Sequence, residues 1–140
     1  MSSTKLTAVM ILEVMGKPAE HLVETLEKMI ESLSQEKGIK INEKVIHEPK
    51  EIEKKPGFFT TFSEIELEAD DAFLLSHLMF KYMPSHFEVL EPEKFIFTNK
   101  EYSQILNELT RRLHGYDQIA QIIQVEKKIL EDKLAEYEKK

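Results

Sequence analysis

Thr7-Ala8-Val9-Met10-Ile11-Leu12-Glu13-Val14-Met15 is the stretch on which the fold turns. Its alternating positions form two sets. Ala8, Met10, Leu12 and Val14 fall on one side; Val9, Ile11 and Met15 fall on the other, and both sides are apolar. A strand with one wet face alternates polar with apolar, so this pattern predicts a central strand covered on both faces. Gly16-Lys17-Pro18 ends it, and a proline is well placed to start a helix. Ala19, Leu22, Val23, Leu26, Met29, Ile30 and Leu33 then share one helical face, with Glu20, Glu24, Glu27, Lys28 and Glu31 on the other. Gly38 is the expected stop.

Working outward, Ile39, Ile41, Val45 and Ile46 predict a second strand, with Asn42-Glu43 bulging its register. Glu48 to Gly57 holds two prolines and reads as a solvated hairpin loop or irregular edge. Phe58 to Glu68 is a third strand. Phe59, Thr61, Ser63, Ile65 and Leu67 line one face of it; the opposite face passes from Phe58, Thr60 and Phe62 to Glu64, Glu66 and Glu68. Asp70 or Asp71 caps a second helix that Pro84 terminates, with Ala72, Phe73, Leu75, Leu78, Met79, Tyr82 and Met83 as its expected buried side. Phe87–Leu90 and Phe95–Phe97 are strand-like. Thr98-Asn99-Lys100-Glu101 is a capping box that opens a long last helix.

The order strand, helix, strand, strand, helix, strand predicts an α+β body of ferredoxin-like (βαββαβ) type. Two helices would cover one face of an antiparallel sheet, and a long C-terminal helix would follow. The expected division is 1–98 for the body and 99–140 for the helix. The body's first strand is apolar on both faces, so the C-terminal helix or a partner subunit is expected on the second.

In the tail, apolar residues recur at steps of four and three: Tyr102, Leu106, Leu109, Leu113, Tyr116, Ala120, Ile123, then Lys127, then Leu130, Leu134 and Tyr137. This is a heptad stripe with one polar interruption. Ile105 and Ile119 widen it on one side, and Ile122, Val125 and Ile129 add apolar surface elsewhere. The helix either breaks at Gly115, where His114-Gly115-Tyr116-Asp117 reads as a stop followed by a new N-cap, or continues, as the unbroken heptad phase favours, at a cost of about 1 kcal/mol for glycine inside a helix. A continuous helix would be roughly 55 Å long, against a radius of gyration of about 13 Å for a body of this size. The expected use of the stripe is homo-oligomerisation. Its interface residues are Tyr102, Leu106, Leu109, Leu113, Tyr116, Ile119, Ile123, Lys127, Leu130, Leu134 and Tyr137. The breadth of the apolar surface favours a bundle, and the flanking charges weakly disfavour a simple parallel dimer.

Chemistry is less marked. There is no cysteine among the 140 residues, which removes disulfides and thiolate sites. The histidines His21, His47, His77, His86 and His114 show no metal-ligand spacing. No catalytic residue, metal or cofactor is assigned. An acid/base cleft of His77, His86 and Glu64 is the reading left to an enzyme. The net charge is −7, and eight of the 19 basic and eight of the 26 acidic residues fall in 99–140. The body therefore carries the whole excess, which disfavours nucleic acid as a partner. The longest apolar run, Ala8 to Leu12, is too short to cross a membrane, and Met1-Ser2-Ser3-Thr4-Lys5 is not a signal peptide. A soluble, cytoplasmic protein is expected.

Met15-Gly16-Lys17-Pro18-Ala19-Glu20-His21-Leu22 resembles the strand-to-helix loop of ACT domains, ferredoxin-like modules that bind amino acids at subunit interfaces. Gly16 and Pro18 carry the likeness, while Ala19 stands where the family places glycine after the proline. The resemblance spans about eight residues. It implies a small-molecule (amino-acid) sensing function with Gly16, Lys17 and Pro18 as the ligand loop, as the alternative to an assembly module.

Overall fold

The computed structural model describes residues 5–139; Met1–Thr4, within the segment read above as no signal peptide, and Lys140 lie outside the described residues. The chain is α+β. Its elements are β1 (Leu6–Gly16), α1 (Ala19–Ser34), β2 (Ile39–Ile46), β3 (Lys50–Glu51), β4 (Phe59–Ala69), α2 (Ala72–Tyr82), β5 (His86–Glu91) and α3 (Asn99–Glu138). They form two compact units, Met1–Thr98 and Asn99–Lys140.

β1 runs through the middle of the first unit, antiparallel to β4 on one side and to β5 on the other. The order is β2-β4-β1-β5, with β3 also on β4, and every pairing is antiparallel. The β1–β4 register sets Ala8 against Leu67, Met10 against Ile65 and Leu12 against Ser63. One face of the ladder is thereby largely apolar, with Thr61 and Ser63 as its buried polar residues. Leu22, Leu26, Ile30 and Leu33 of α1 and Leu75, Leu78 and Tyr82 of α2 are buried, and all but Leu22 join these strand residues in a single core. α1 is amphipathic, as its spacing predicts, and presents one face to the sheet.

The bulge in β2 falls at Asn42, where the register shifts between Ile41 and Glu43. Beyond it the chain does not leave the sheet as early as its prolines suggest. The His47 N–H donates to the Phe62 carbonyl (3.0 Å), β3 pairs with the start of β4, and the Ile52 N–H donates to the Phe58 carbonyl (2.8 Å). The 48–57 segment is thus mostly a frayed hairpin arm. Gly38 opens β2 with φ +86°, where a Cβ would come within 2.8 Å of Leu74 and 3.0 Å of Asp70. Glycine is needed there for both reasons.

Three expectations need correction. Phe95–Phe97 is not a strand: β5 ends at Glu91, where Pro92 offers no N–H to extend the ladder, and the Phe95 and Phe97 rings stack on each other at 5.8 Å. The second face of β1 is not fully covered: Val9 and Ile11 are half-buried, and Met15 is exposed. The apolar side of α2 is narrower than its composition implies. Asp71 caps it, accepting from Leu74 N–H (2.8 Å), and Phe73, Met79 and Met83 point outward while Leu75, Leu78 and Tyr82 point in. An eleven-residue helix that is apolar almost all round can bury only one side against a sheet.

A polar cluster ties the two helices together. The Tyr82 hydroxyl donates to Glu36 just beyond α1 (2.9 Å) and lies 3.0 Å from Ser32 Oγ, while Lys81 reaches the same carboxylate (2.7 Å). The hydrogen bond from Lys81 holds the Glu36 carboxyl below the usual range, and the bond from Tyr82 adds to this. Burial pushes the Tyr82 phenol up.

A group whose pKa is lower in the folded state contributes stability above its unfolded pKa and loses it as pH falls through the folded value. Glu36→Gln is therefore expected to cost about 1–2 kcal/mol near pH 7, and the difference from wild type should close as pH drops below about 4. Urea denaturation across that range measures it. In the core, Ser63 Oγ is buried with no hydrogen-bond partner among the described residues. Ser63→Ala is expected to be neutral or to stabilise by up to about 1 kcal/mol, whereas Ile65→Ala beside it should cost about 2–5 kcal/mol in the same assay.

Candidate functional site

α3 is one unbroken helix of 40 residues that passes through Gly115, about 60 Å at the usual rise. Nothing lies near the position a Cβ would take at Gly115, so its small size serves no close approach within the chain. The helix is held locally by side-chain pairs. Glu108 accepts from Arg111 (2.7 and 3.2 Å) and Arg112 (2.9 Å), and these guanidinium bonds hold its carboxyl below the usual range. Farther along, Lys127 approaches Glu131 (3.9 Å) and Lys128 approaches Asp132 (3.5 Å). Pairs at this spacing contribute only a few tenths of a kcal/mol, roughly, so they do not explain why the helix is so long.

Its apolar residues explain more. No residue of α3 is buried. Glu101, Ile105, Glu108, Leu109, Arg112 and Gly115 are half-buried, but from Tyr116 to Lys139 every residue is exposed. That segment carries Tyr116, Ile119, Ile122, Ile123, Val125, Ile129, Leu130, Leu134 and Tyr137 as exposed large apolar side chains. Scattered apolar residues on a surface are normal; a continuous band of them is not. Tyr102, Leu106 and Leu113 of the expected stripe are also exposed, Leu109 is half-buried, and Lys127, within the stripe, lies 3.9 Å from Glu131.

The eleven stripe positions leave out Ile122, Val125 and Ile129, which are as exposed as the rest. A two-position heptad template does not collect them, although they stand in the sequence at helical spacing from Ile119. Together they extend the apolar arc to about 220° of circumference between Ile119 and Leu130, counting 100° per residue. A helix paired with a single neighbour needs much less.

The loop Gly16-Lys17-Pro18 stands between β1 and α1, and the Lys17 ammonium lies over the Phe58 ring, 4.9 Å from its centroid. The sheet face away from the core carries Glu64, Glu66 and Glu68 in a row beside Val9 and Ile11. Glu64 is bonded to His47 (3.1 Å), which also stacks on Phe62. Glu64 and His86 each pair across Ile11, on opposite sides of β1, which separates them by two strand spacings of about 4.8 Å. His77 belongs to α2, on the core side of the sheet. These three residues do not converge on one cleft. Among the described residues no cluster of His, Asp or Glu has metal-binding geometry, and no helix is long and apolar enough to cross a membrane.

No curated protein and no solved structure matches the chain. The model of one family, the MJ0538 family, matches residues 7–139, which takes in the sheet but for its first residue, both core helices and the whole of α3. On that match, the chain belongs to the MJ0538 family.

Proposed function

We propose that this protein is a non-enzymatic assembly module that homo-oligomerises through α3. One observation carries the reading: the band of apolar side chains from Tyr116 to Tyr137 is exposed in the single chain. Burying apolar surface yields roughly 25 cal/mol per Å², so a band of this length strongly favours association. The breadth of the arc supports a helical bundle over an isolated two-stranded coil. In this proposal the body is ferredoxin-like. The strand order β2-β4-β1-β5 supports that reading, with β3 prolonging the edge that β2 forms on β4. The same proposal puts the module in the cytoplasm, since a cysteine-free chain suits a reducing compartment.

Ligand sensing by Gly16, Lys17 and Pro18 is the second reading we propose. The cation over the Phe58 ring at the end of β1 supports it. A thermal-melting screen with amino acids tests it, and no shift at millimolar ligand would remove it.

Sedimentation at micromolar concentration tests the assembly reading. The full chain is expected to run as an oligomer, and a chain ending at Leu113 as a folded monomer. A full-length monomer unchanged by that truncation would refute it. Lys127 interrupts the stripe at a position where a lysine costs stability and helps fix the assembly state. Lys127→Leu is expected to raise the melting temperature and broaden the distribution of species. No change in either measurement would show that the stripe forms no contact at that point.

A further inference from the structure

The charges of α3 from Glu126 to Lys133 divide into two kinds. Lys127 and Lys128 have carboxylates one turn away in the same chain, Glu131 and Asp132. Glu126 and Lys133 have no ion-pair partner among the described residues. Those two also stand apart in position. Seven residues separate them, so they lie within about 20° of each other around the helix. Their line runs through the middle of the apolar arc, with Ile122 and Ile129 to one side and Ile119, Ile123 and Leu130 to the other. Each is an isolated charge where burial of its neighbours would strip away water, and a charge so placed needs an opposite charge.

An antiparallel neighbour supplies one. We infer that α3 pairs with α3 of a second copy in antiparallel orientation, about a two-fold axis between Ile129 and Leu130. Glu126 of each copy then faces Lys133 of the other. In such pairing, residues on the same flank of the two helices meet, so one register satisfies both charges of both copies. The same register sets Ile129 beside Ile129 of the second copy on one flank, and Leu130 beside Leu130 on the other. It overlaps the two helices from Ala120 to Lys139, nearly the whole segment that the single chain leaves exposed. A parallel pairing in register does worse: Glu126 meets Glu131 of the other copy, and only Lys133 finds an opposite charge, at Glu138. Charge complementarity and the extent of the exposed band thus select the same orientation. The inference rests on assembly through α3 and adds its orientation and register.

Charge reversal in the full-length protein tests it. Glu126→Lys sets lysine against lysine twice per pair, and Lys133→Glu sets carboxylate against carboxylate twice. Each alone is expected to weaken self-association roughly tenfold or more in sedimentation equilibrium at low salt. The double variant Glu126→Lys/Lys133→Glu restores both pairs, and should return to within about threefold of wild type. It also shows that the reversals do not act by unfolding the helix. An equimolar mixture of the two single variants should associate more tightly than either alone. Tighter association of Glu126→Lys, or a double variant as weak as the singles, would overturn the antiparallel register while leaving assembly intact. A wild-type chain that stays monomeric would overturn assembly and register together.

Discussion

The β1–β4 ladder is the constraint on which the rest of the first unit depends. Its register couples the even-numbered positions of β1, Leu6 to Leu12, to the odd-numbered positions of β4, Ser63 to Ala69. Both sets are buried. A slip of one residue would bring Glu64, Glu66 and Glu68 beneath the helices and send Ile65 and Leu67 into water. No local propensity could compensate for three carboxylates in that core. The ladder therefore decides which face α1 and α2 cover, and so where the acidic excess of residues 1–98 is displayed.

With the two long strands fixed, the remaining parts settle at the margins. β2 and β3 line the outer edge of β4, and the bulge at Asn42 absorbs a mismatch between the alternation of β2 and that of its partner. Gly38 lets the chain enter β2 while pressed against α2. The Ser32–Tyr82–Glu36–Lys81 cluster closes the far ends of the helices with groups that satisfy one another. This is a structural use of titratable residues. It accounts for the most perturbed groups of the first unit without any catalytic role.

α3 follows a different logic. The first unit packs a buried apolar core and leaves other apolar residues exposed, whereas the second half of α3 buries none of its own. Its intrachain ion pairs, Lys127–Glu131 and Lys128–Asp132, are formed within the chain. Under the inferred antiparallel register, Glu126 and Lys133, set within the arc, meet each other across the two copies. A helix of this composition gains its stability from what it packs on, because propensity and surface pairs supply too little. Self-association and helix formation are, on this view, one event.

Much was legible in the sequence because it rests on periodicity. The two-sided apolar run from Ala8 to Met15 marks a strand with a neighbour on each edge, and β1 has them. The 3.6-residue spacing from Leu22 to Leu33 marks the buried side of α1, and Asn42 announces the bulge it causes, but α1 stops at Ser34, before Gly38, which serves instead to open β2. The unbroken phase across Gly115 marks one continuous helix. Other features depended on which surfaces meet. Apolar composition alone could not say that Phe73, Met79 and Met83 would face outward, because it records what α2 contains and not how much sheet is available to cover it. Nor could it show that His77 is separated by the sheet from Glu64 and His86, since residue type carries no information about side of layer. That Glu126 and Lys133 make no ion pair while Lys127 and Lys128 between them do is seen only when those pairs are in place. Sequence determines periodicity, hence which residues share a face; tertiary structure determines which faces find cover, because burial is a property of two surfaces together.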